Sequence, residues 1–370
     1  MVVFSLLVSM LLNNISTSLF PYKWTLKNAL FEKNKGKVFS CFSGGGGSSL
    51  GYKLAGFDVV GGLEIDPKMA DIYQANLQPK YCYNMAIQDF TQKNDFPDEL
   101  LNLDILDGSP PCSTFSVSGN RESDWGRMRA FKEGGKRQIL DTLFFDFLDL
   151  ASILQPKIIV AENVPGLLIG NAKKYIYKIY KKAEKIGYEL IHFVLDAQYM
   201  GVPQRRKRVF FVGIRKDLSI PFLKRINLFE CKIFLNLNFS CKPIYFSEIF
   251  HDYQDAILQN SLLNLWPYKK NTDKSFADIN QRINKKRNFF NHQLIKFSNI
   301  PPTILANSNK HALYDYCRPM NKTELCLSGS WPLDYDFKNV KPVYVIGMSV
   351  PPVMMANIAN QIYHQWIARL

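Results

Sequence analysis

The feature that most constrains this sequence is a glycine-rich loop set between two apolar segments. Residues 37–42 and 57–63 predict two strands, and residues 43–49 (SGGGGSS) form the loop that follows the first strand. Glu64 comes directly after the second strand and lies 20 positions after Gly44. Glycines let a backbone approach a ligand closely, and an acid at this offset is typical of a group that accepts hydrogen bonds from ribose. The sequence therefore predicts an α/β fold with a nucleoside-containing cofactor. The alternative is a flexible surface loop.

A second motif surrounds Cys112. Residues 103–106 predict a buried strand, and the turn-forming residues 107–111 (DGSPP) end it. The thiol therefore lies at the edge where open α/β sheets bind ligands. A lone cysteine is often only a small buried hydrophobic residue. Here residues 113–118 carry four hydroxyl groups, which disfavours a position in the core.

Charged residues accompany two later strands. Glu162 follows the predicted strand at residues 157–161, and the basic run at residues 205–208 precedes the strand at residues 209–214. A helix cap or an ion pair is the commoner role for such an acid, and a solvated face is the commoner role for such a run. Further strands are predicted at residues 190–195 and 344–347, and helices at residues 50–56, 67–77, 138–154, 175–186 and 353–368.

The charge of the chain indicates a polyanionic partner. Lys and Arg number 46 against 32 Asp and Glu, which gives a formal net charge of +14. Residues 215–300 alone carry 14 Lys and Arg against 7 Asp and Glu, and there the alternation of strands and helices stops. This stretch is predicted to form a separate basic lobe with interleaved aromatic residues.

The cysteine, histidine and apolar patterns of the sequence argue against a metal site and against a membrane-spanning segment. The seven cysteines form no CxxC pair and the five histidines show no metal spacing, so no metal site is expected. The odd cysteine number suits a reducing cytoplasm. Residues 2–12 are apolar but too short to span a bilayer, and they lack the flanks of a signal peptide. No membrane partner is expected.

Six motifs in order give the sequence a family resemblance. FSGGGGSSLGYKLAGF, EID, GSPPCSTFSVSG, ENVPGLL, QRRKRVFFVG and IGMSVPPVMMANIA together resemble the cytosine-C5 DNA methyltransferases. The resemblance runs from about residue 37 to the C-terminus. It implies a Rossmann-like S-adenosylmethionine-dependent methyltransferase fold with a smaller target recognition domain. The expected domains are an N-terminal extension at 1–36, a catalytic and cofactor-binding domain at 37–214, the recognition domain at 215–300 and a return to the catalytic domain at 301–370.

The resemblance also implies roles for individual residues. Glu64 would bind the cofactor ribose, Ile65 its adenine and Asp89 the adenine amino group. The implied cofactor-binding residues are Phe42, Gly44, Gly46, Glu64, Ile65, Asp89 and Pro111. The implied catalytic residues are Cys112 as nucleophile, Glu162 as the acid at cytosine N3, and Arg206 and Arg208 as arginines of the cleft.

The implied partners are double-stranded DNA and a restriction endonuclease that acts on the same site, in a prokaryotic or phage-encoded system. The sequence departs from the family pattern at four positions. Ser113 replaces the usual glutamine, Met348 replaces a common asparagine, and Asn321 and Thr323 replace a threonine and an arginine.

Three alternatives stay open. A tRNA cytosine methyltransferase of the same fold would share every catalytic motif, although a large basic lobe favours DNA. A catalytically inactive DNA-binding relative is disfavoured by the presence of Cys112, Glu162 and Glu64. A nicotinamide-dependent oxidoreductase would account for the glycine loop but not for the Pro-Pro-Cys motif.

Overall fold

The computed structural model describes residues 18–111, 142–169, 172–227, 230–289, 291–306 and 311–370, with the backbone of two short strands between 111 and 142. Cys112 and Ser113 lie outside the described residues. The chain divides into two compact units. The sheet unit comprises Leu30–Asp196, Lys207–Asn238 and Met354–Leu370, and the second unit comprises Met1–Ala29, Ala197–Arg206 and Phe239–Val353.

Seven strands form one sheet in the described part of the sheet unit. They are β1 (Lys37–Cys41), β2 (Asp58–Leu63), β3 (Tyr81–Tyr83), β4 (Ile105–Gly108), β7 (Ile158–Asn163), β8 (Tyr188–Asp196) and β9 (Lys207–Arg215). Their order is β3-β2-β1-β4-β7-β9-β8, with β9 antiparallel to both of its neighbours and the first five strands parallel. The short strands β5 (Met128–Arg129) and β6 (Gln138–Ile139) pair separately, as do β10 (Leu223–Arg225) and β11 (Cys231–Ile233). The predicted α/β fold is confirmed.

Helices pack between and beside these strands. In chain order they are α1 (Gly47–Leu54), α2 (Pro67–Leu77), α3 (Ile87–Thr91), α4 (Asp98–Leu101), α5 (Leu143–Leu154), α6 (Ala172–Lys185) and α7 (Lys216–Ser219). The central part of the core is aromatic: Phe39 stacks on Phe90, and Phe144 meets Phe211 edge to face. Such aromatic pairs stabilise a core beyond their buried area.

The helix predicted at residues 138–154 is too long at its start. Gln138–Ile139 is the strand β6, and α5 begins only at Leu143, after Thr142 in the N-cap position. Thr142 makes no side-chain capping hydrogen bond, and apolar residues upstream of a helix do not by themselves show where it begins. The remaining helix face is buried as the pattern predicts, with Leu143, Phe147 and Leu150 fully inside.

The second unit contains shorter elements. They are α8 (Asn260–Leu263), α9 (Phe276–Asn284), β12 (Gln293–Ile295), β13 (His311–Leu313), α10 (Lys322–Ser328) and α11 (Pro342–Met348). Strands β12 and β13 pair in parallel, and a small apolar cluster joins them to α8 and α9 through Leu262, Phe276 and Leu294.

The strand predicted at residues 344–347 is wrong, because this segment is part of α11. Its β-branched residues favour a strand locally. Pro342, however, occupies the first turn, where its fixed φ is already helical. Val345 and Ile346 are buried, so tertiary packing overrides the local preference.

The last helix is α12 (Pro352–Gln365). By length and composition alone, the helical segment Pro342–Arg369 could cross a membrane, but 72% of its most apolar window is buried inside the protein. Burial of this kind is typical of a core helix.

Candidate active site

The glycine loop and Glu64 form one hydrogen-bonded unit. The backbone enters the left-handed region at Phe42 (φ 53°), Gly44 (φ 51°) and Gly46 (φ 88°). Gly44 N–H donates to Glu64 Oε2 at 2.8 Å, and Asp66 N–H donates to Oε1 at 2.9 Å. Burial raises the pKa of Glu64, while these two N–H groups lower it. Each carboxylate oxygen keeps a further lone pair, which can accept a hydrogen bond from a ligand hydroxyl.

Only glycine suits the start of the following helix. Gly46 is the N-cap of α1, and a Cβ built on it would lie 2.8 Å from Leu77 Cδ1. Helix α1 begins at Gly47, inside the loop, three residues earlier than the sequence predicts. Its amino end faces the loop with the unpaired N–H groups that every helix start carries.

One buried polar atom in this loop fits a cofactor. Ser43 Oγ is buried and has no hydrogen-bond partner among the described residues. Buried hydroxyls without a partner are uncommon in folded proteins. An orphaned hydroxyl, a left-handed glycine backbone and a fixed carboxylate suit a ligand that carries both polar groups and a ribose. S-adenosylmethionine is such a ligand, so the residues present fit the group that the family resemblance implies.

Asn84 and Asp89 flank the same edge of the sheet. Asn84 Nδ2 donates to the carbonyl oxygens of Glu64 and Ile65, at 2.8 and 3.2 Å, and so fixes the turn after β2. Asp89 lies in the first turn of α3 with an exposed side chain. The contacts of Ile65 and Asp89 with adenine stay predictions.

Asp107 is a buried carboxylate beneath the glycine loop. It accepts hydrogen bonds from Ser40 Oγ at 2.7 Å, Ser48 Oγ at 2.8 Å and Tyr52 OH at 3.3 Å. Burial raises the pKa of Asp107 to about 6, although the three hydroxyls lower it. Because Ser48 and Tyr52 belong to α1, this carboxylate ties the helix after the cofactor loop to β4, the strand that leads to Cys112.

Glu162 lies on strand β7, near its end. Its Oε1 is 2.9 Å from Arg208 Nε, and both side chains keep only a small exposed fraction, 12% and 14%. Burial lowers the pKa of Arg208, and the charge of Glu162 raises it. Both strands extend further than predicted, and on these neighbouring antiparallel strands Glu162 lies opposite Phe210, two residues from Arg208.

Asn163 connects this pair to the cysteine loop. Its Nδ2 donates to the carbonyl oxygen of Pro110 at 3.0 Å, and its Oδ1 accepts from Val164 N–H at 2.8 Å. Pro110 is two residues before Cys112, and Pro111 is half-buried. The end of β7 and the Pro-Pro turn are therefore held together, although Cys112 itself lies outside the described residues.

Arg206 is placed differently from Arg208. It is buried in the second unit, where its Nη2 donates to the carbonyl oxygens of Gly347 at 2.9 Å and Ser349 at 2.8 Å. Sequence reasoning groups the two arginines because they are close in the chain. The structure brings Arg208 to the acid, whereas Arg206 holds the segment around α11. Their catalytic roles stay predictions.

Two departures from the family pattern have structural roles. Asn321 caps α10: its Oδ1 accepts from Glu324 N–H, and its Nδ2 donates to the carbonyls of His251 and Tyr253. Thr323 Oγ1 lies 2.8 Å from Tyr253 OH. These side chains join the helix to the segment around residues 251–253. Met348, at the end of α11, is 48% exposed and takes no such role.

The basic lobe presents three cations next to each other. Lys285, Lys286 and Arg287 are exposed and directly follow α9. The buried Asn280 fixes this turn by donating to the carbonyl of Lys286 at 2.9 Å. Arg282 differs, because its guanidinium is bound to the Asp273 carboxylate at 2.8 Å.

Sequence reasoning missed three residues that build the site, namely Asp107, Asn163 and Asn84. Each lies at or next to a strand end; Asp107 and Asn163 are buried there, where polar side chains are unusual unless they are hydrogen-bonded, whereas Asn84 is exposed. That position is the signal that could have identified them.

Comparison with protein families gives a match over most of the chain. The model of the C-5 cytosine-specific DNA methylases covers residues 36–364. Among curated relatives, the type II methyltransferase M1.HphI of Haemophilus parahaemolyticus is 27% identical over 87% of this chain and 85% of its own length. M.NgoPII of Neisseria gonorrhoeae is 33% identical, and the match spans only about half of each protein, 51% in both cases.

Solved structures support the same fold. A prophage-encoded protein from E. coli, described as a DNA modification methyltransferase, superposes with a TM-score of 0.61 at 20% identity, over 89% of this chain and 98% of that one. The S. pombe Dnmt2 methyltransferase gives a TM-score of 0.56 at 16% identity, again over 89% and 98%.

Proposed function

The chain belongs to the C-5 cytosine-specific DNA methylase family, and we propose that it methylates carbon 5 of a cytosine in duplex DNA with S-adenosylmethionine as the methyl donor. The observation that carries this proposal is the link between the end of β7 and the cysteine loop. Asn163 holds the Pro110 carbonyl at 3.0 Å, next to the Glu162–Arg208 pair. This link supports a site in which Glu162 and the thiol of Cys112 act at one sheet edge.

Cytosine carbon 5 is a weak nucleophile, and Cys112 would activate it. The thiolate adds to carbon 6, which forms a C–S bond and converts the ring to an enamine that is nucleophilic at carbon 5. The electron pair displaced from the ring gathers toward N3. Glu162 would hold or donate a proton at N3 and so offset this charge.

Arg208 orients the acid for that task. Its Nε–Oε1 contact of 2.9 Å fixes the position of the Glu162 carboxylate on β7. Neutral glutamine at position 162 would keep the shape but would lose the acid. The same cation would also favour the thiolate form of a nearby cysteine.

The cofactor supplies an electrophilic methyl group. Phe42, Gly44 and Gly46 would lie along it, and Glu64 would accept hydrogen bonds from the ribose hydroxyls. After methyl transfer, a base removes the proton from carbon 5 and the cysteine leaves carbon 6, which restores the aromatic ring. None of these steps is possible inside a stacked duplex, so the cytosine must be flipped out of the helix.

The biological setting follows from the relatives. Several are named as type II methyltransferases, and the family resemblance implies a restriction endonuclease that acts on the same site. We therefore propose that the enzyme marks the site of such an endonuclease or modifies DNA as a phage-encoded protein. In either setting it acts on double-stranded DNA in the cytoplasm.

A methyl-transfer assay tests the reaction. Tritiated S-adenosylmethionine is incubated with the wild type and with mixed-sequence genomic duplex DNA or total tRNA. We expect label in DNA only, at carbon 5 of cytosine after nucleoside analysis, and a loss of at least about a hundredfold in Glu162→Gln, in line with the usual contribution of a general acid. Label in tRNA alone would contradict the proposal, and label in neither would indicate an inactive relative.

A further inference from the structure

Helix α6 has one apolar face and one strongly basic face. Tyr175, Ile179 and Ala183 are buried on the apolar face. The helix carries six lysines and one acid, Glu184. Four of the lysines follow the helical spacing i, i+4, i+7 and i+11, which places them in a single row along the helix. This row, the lysine stripe, consists of Lys174, Lys178, Lys181 and Lys185, all of them exposed.

The stripe lowers the stability of the isolated helix. Like charges at i,i+3 and i,i+4 repel each other. The first turn contains Lys173 and Lys174 and no acid, the reverse of the arrangement that the helix dipole favours. Lys181 is offset by Glu184 at 3.1 Å, and Lys182, outside the stripe, by Asp149 at 2.6 Å. Lys174, Lys178 and Lys185 form no such ion pair with a described residue, and a row of like charge that is only partly offset is typical of a functional surface.

The dimensions of the stripe match a nucleic-acid backbone. From Lys174 to Lys185 the helix rises about 16 Å at 1.5 Å per residue. One DNA strand carries a phosphate every 3.4 Å along its axis, so about five phosphates span that length. An exposed tyrosine, Tyr177, lies beside the stripe with its ring 6.0 Å from Lys181 Nζ.

The position of the helix in the chain brings its first turn toward the site. Strand β7 carries Glu162 and Asn163 and ends at the carboxyl edge of the parallel strands. A single turn of 3₁₀-helix, Pro165–Leu168, follows, and α6 begins at Ala172. The amino end of a helix that follows a strand in this way lies at the same edge, so the stripe starts near the site and runs away from it.

We propose that the lysine stripe binds the phosphate backbone of duplex DNA beside the cytosine that is methylated. This inference rests on the proposed function, because it takes its partner from it. The surface reads no sequence, since phosphate contacts set affinity and orientation only.

Salt-dependent binding tests the proposal. The variant Lys174→Gln, Lys178→Gln, Lys185→Gln is compared with the control Lys27→Gln, Lys93→Gln, Lys216→Gln, which removes the same charge from exposed lysines on other elements. Anisotropy with a 40-bp duplex of random sequence is recorded from 50 to 300 mM salt. We expect the slope of log affinity against log salt to fall by about 2 to 3 in the stripe variant, at about 0.9 for each phosphate that the variant no longer neutralises. The control variant should change this salt slope by less than half as much as the stripe variant does.

Equal slopes in the stripe variant and the control would overturn the inference. Protection of lysines from acetylation, measured on the wild type with and without the duplex, gives a second readout that requires no variant. We expect Lys174, Lys178 and Lys185 to be protected and Lys93 to stay reactive. Absence of protection at all three stripe lysines would also contradict the proposal. If the wild type transfers no methyl group to DNA, the proposed function fails, whereas slope and protection still report on the stripe itself.

Discussion

At the scale of single residues, two buried carboxylates hold the cofactor side of the site in different ways. Glu64 uses both oxygens to fix the glycine loop and the turn at Asp66. Asp107 accepts hydrogen bonds from three hydroxyl groups, which belong to strand β1 and helix α1. The sequence indicates the role of Glu64, because its offset from the glycine loop matches the known pattern of a ribose-binding acid. The sequence does not indicate the role of Asp107, because no local sequence pattern shows that this residue contacts Ser40 and Ser48.

Replacement of Glu64 by alanine should weaken S-adenosylmethionine binding at least about tenfold. Hydrogen bonds to a charged group contribute about 1.5–3 kcal/mol each, and the variant loses those to the loop as well as those proposed for the ribose. Isothermal calorimetry measures the affinity, with Asp71→Ala, an exposed acid on α2, as the control. Glu64→Gln should fall between the two. Unchanged affinity in Glu64→Ala would mean that the loop binds another ligand.

Asp107 should make stability depend on pH. Its folded-state pKa of about 6 lies above the ordinary 3.8, so its contribution to stability is present at low pH and is lost as the pH rises through about 6. Relative to Asp107→Asn, which does not titrate, the wild type should lose up to about 3 kcal/mol between pH 4 and pH 7.

Urea unfolding of both proteins at pH 4, 5, 6 and 7 measures this difference, and changes that other groups cause cancel between them. The matched control is Asp71→Asn, which replaces an exposed acid on α2. A difference between wild type and Asp107→Asn that stays constant with pH would show that Asp107 does not titrate in this range.

At the scale of elements, the turn after α9 is an ordered platform for three cations. Asn280 is buried and fixes its backbone, while Lys285, Lys286 and Arg287 extend into solvent. Composition predicts a basic lobe, but it cannot separate these cations from Arg282, which is bound to Asp273. Only the folded arrangement makes that distinction.

Replacement of Lys285, Lys286 and Arg287 together by alanine should weaken binding to cognate and random duplexes alike. The salt slope should fall by about 0.9 for each phosphate that these side chains neutralise in the wild type. Thermal unfolding should hardly change, because exposed charges contribute little to stability. The control is Lys23→Ala, Lys27→Ala, Lys341→Ala, three exposed lysines elsewhere in the second unit. If affinity and salt slope match those of the wild type, this turn does not bind DNA.

Elements were predictable where the local pattern and the packing agree. Residues 67–77 are the helix α2 with the bounds that the sequence predicts, because Asp66 caps it and Pro67 opens it. Residues 344–347 were not predictable, because β-branched residues in a buried helix look like a strand. The start of α5 was predicted wrongly for a related reason: an apolar stretch alone does not show where the chain changes from strand to helix.

At the scale of the whole molecule, the order of motifs along the chain carries most of the information. It predicts the α/β fold and the family, both of which are confirmed. It does not predict the sheet order β3-β2-β1-β4-β7-β9-β8, which places Arg208 against Glu162. Nor does it show that Arg206 belongs to a different compact unit from Arg208. Pairing between distant strands is a tertiary property, which neighbouring residues in the chain do not encode.

The central claim is that Cys112 forms a covalent bond to carbon 6 of cytosine, and a trapping experiment tests it most directly. DNA containing 5-fluorocytosine at the methylated site blocks the removal of the carbon 5 substituent, so the protein stays attached. With S-adenosylmethionine present, the wild type and the control Cys317→Ala, an exposed cysteine elsewhere, should give an adduct that survives denaturing electrophoresis. Cys112→Ala should bind the DNA and give none. An adduct with Cys112→Ala, or no adduct with a wild type that methylates ordinary DNA, would contradict the account.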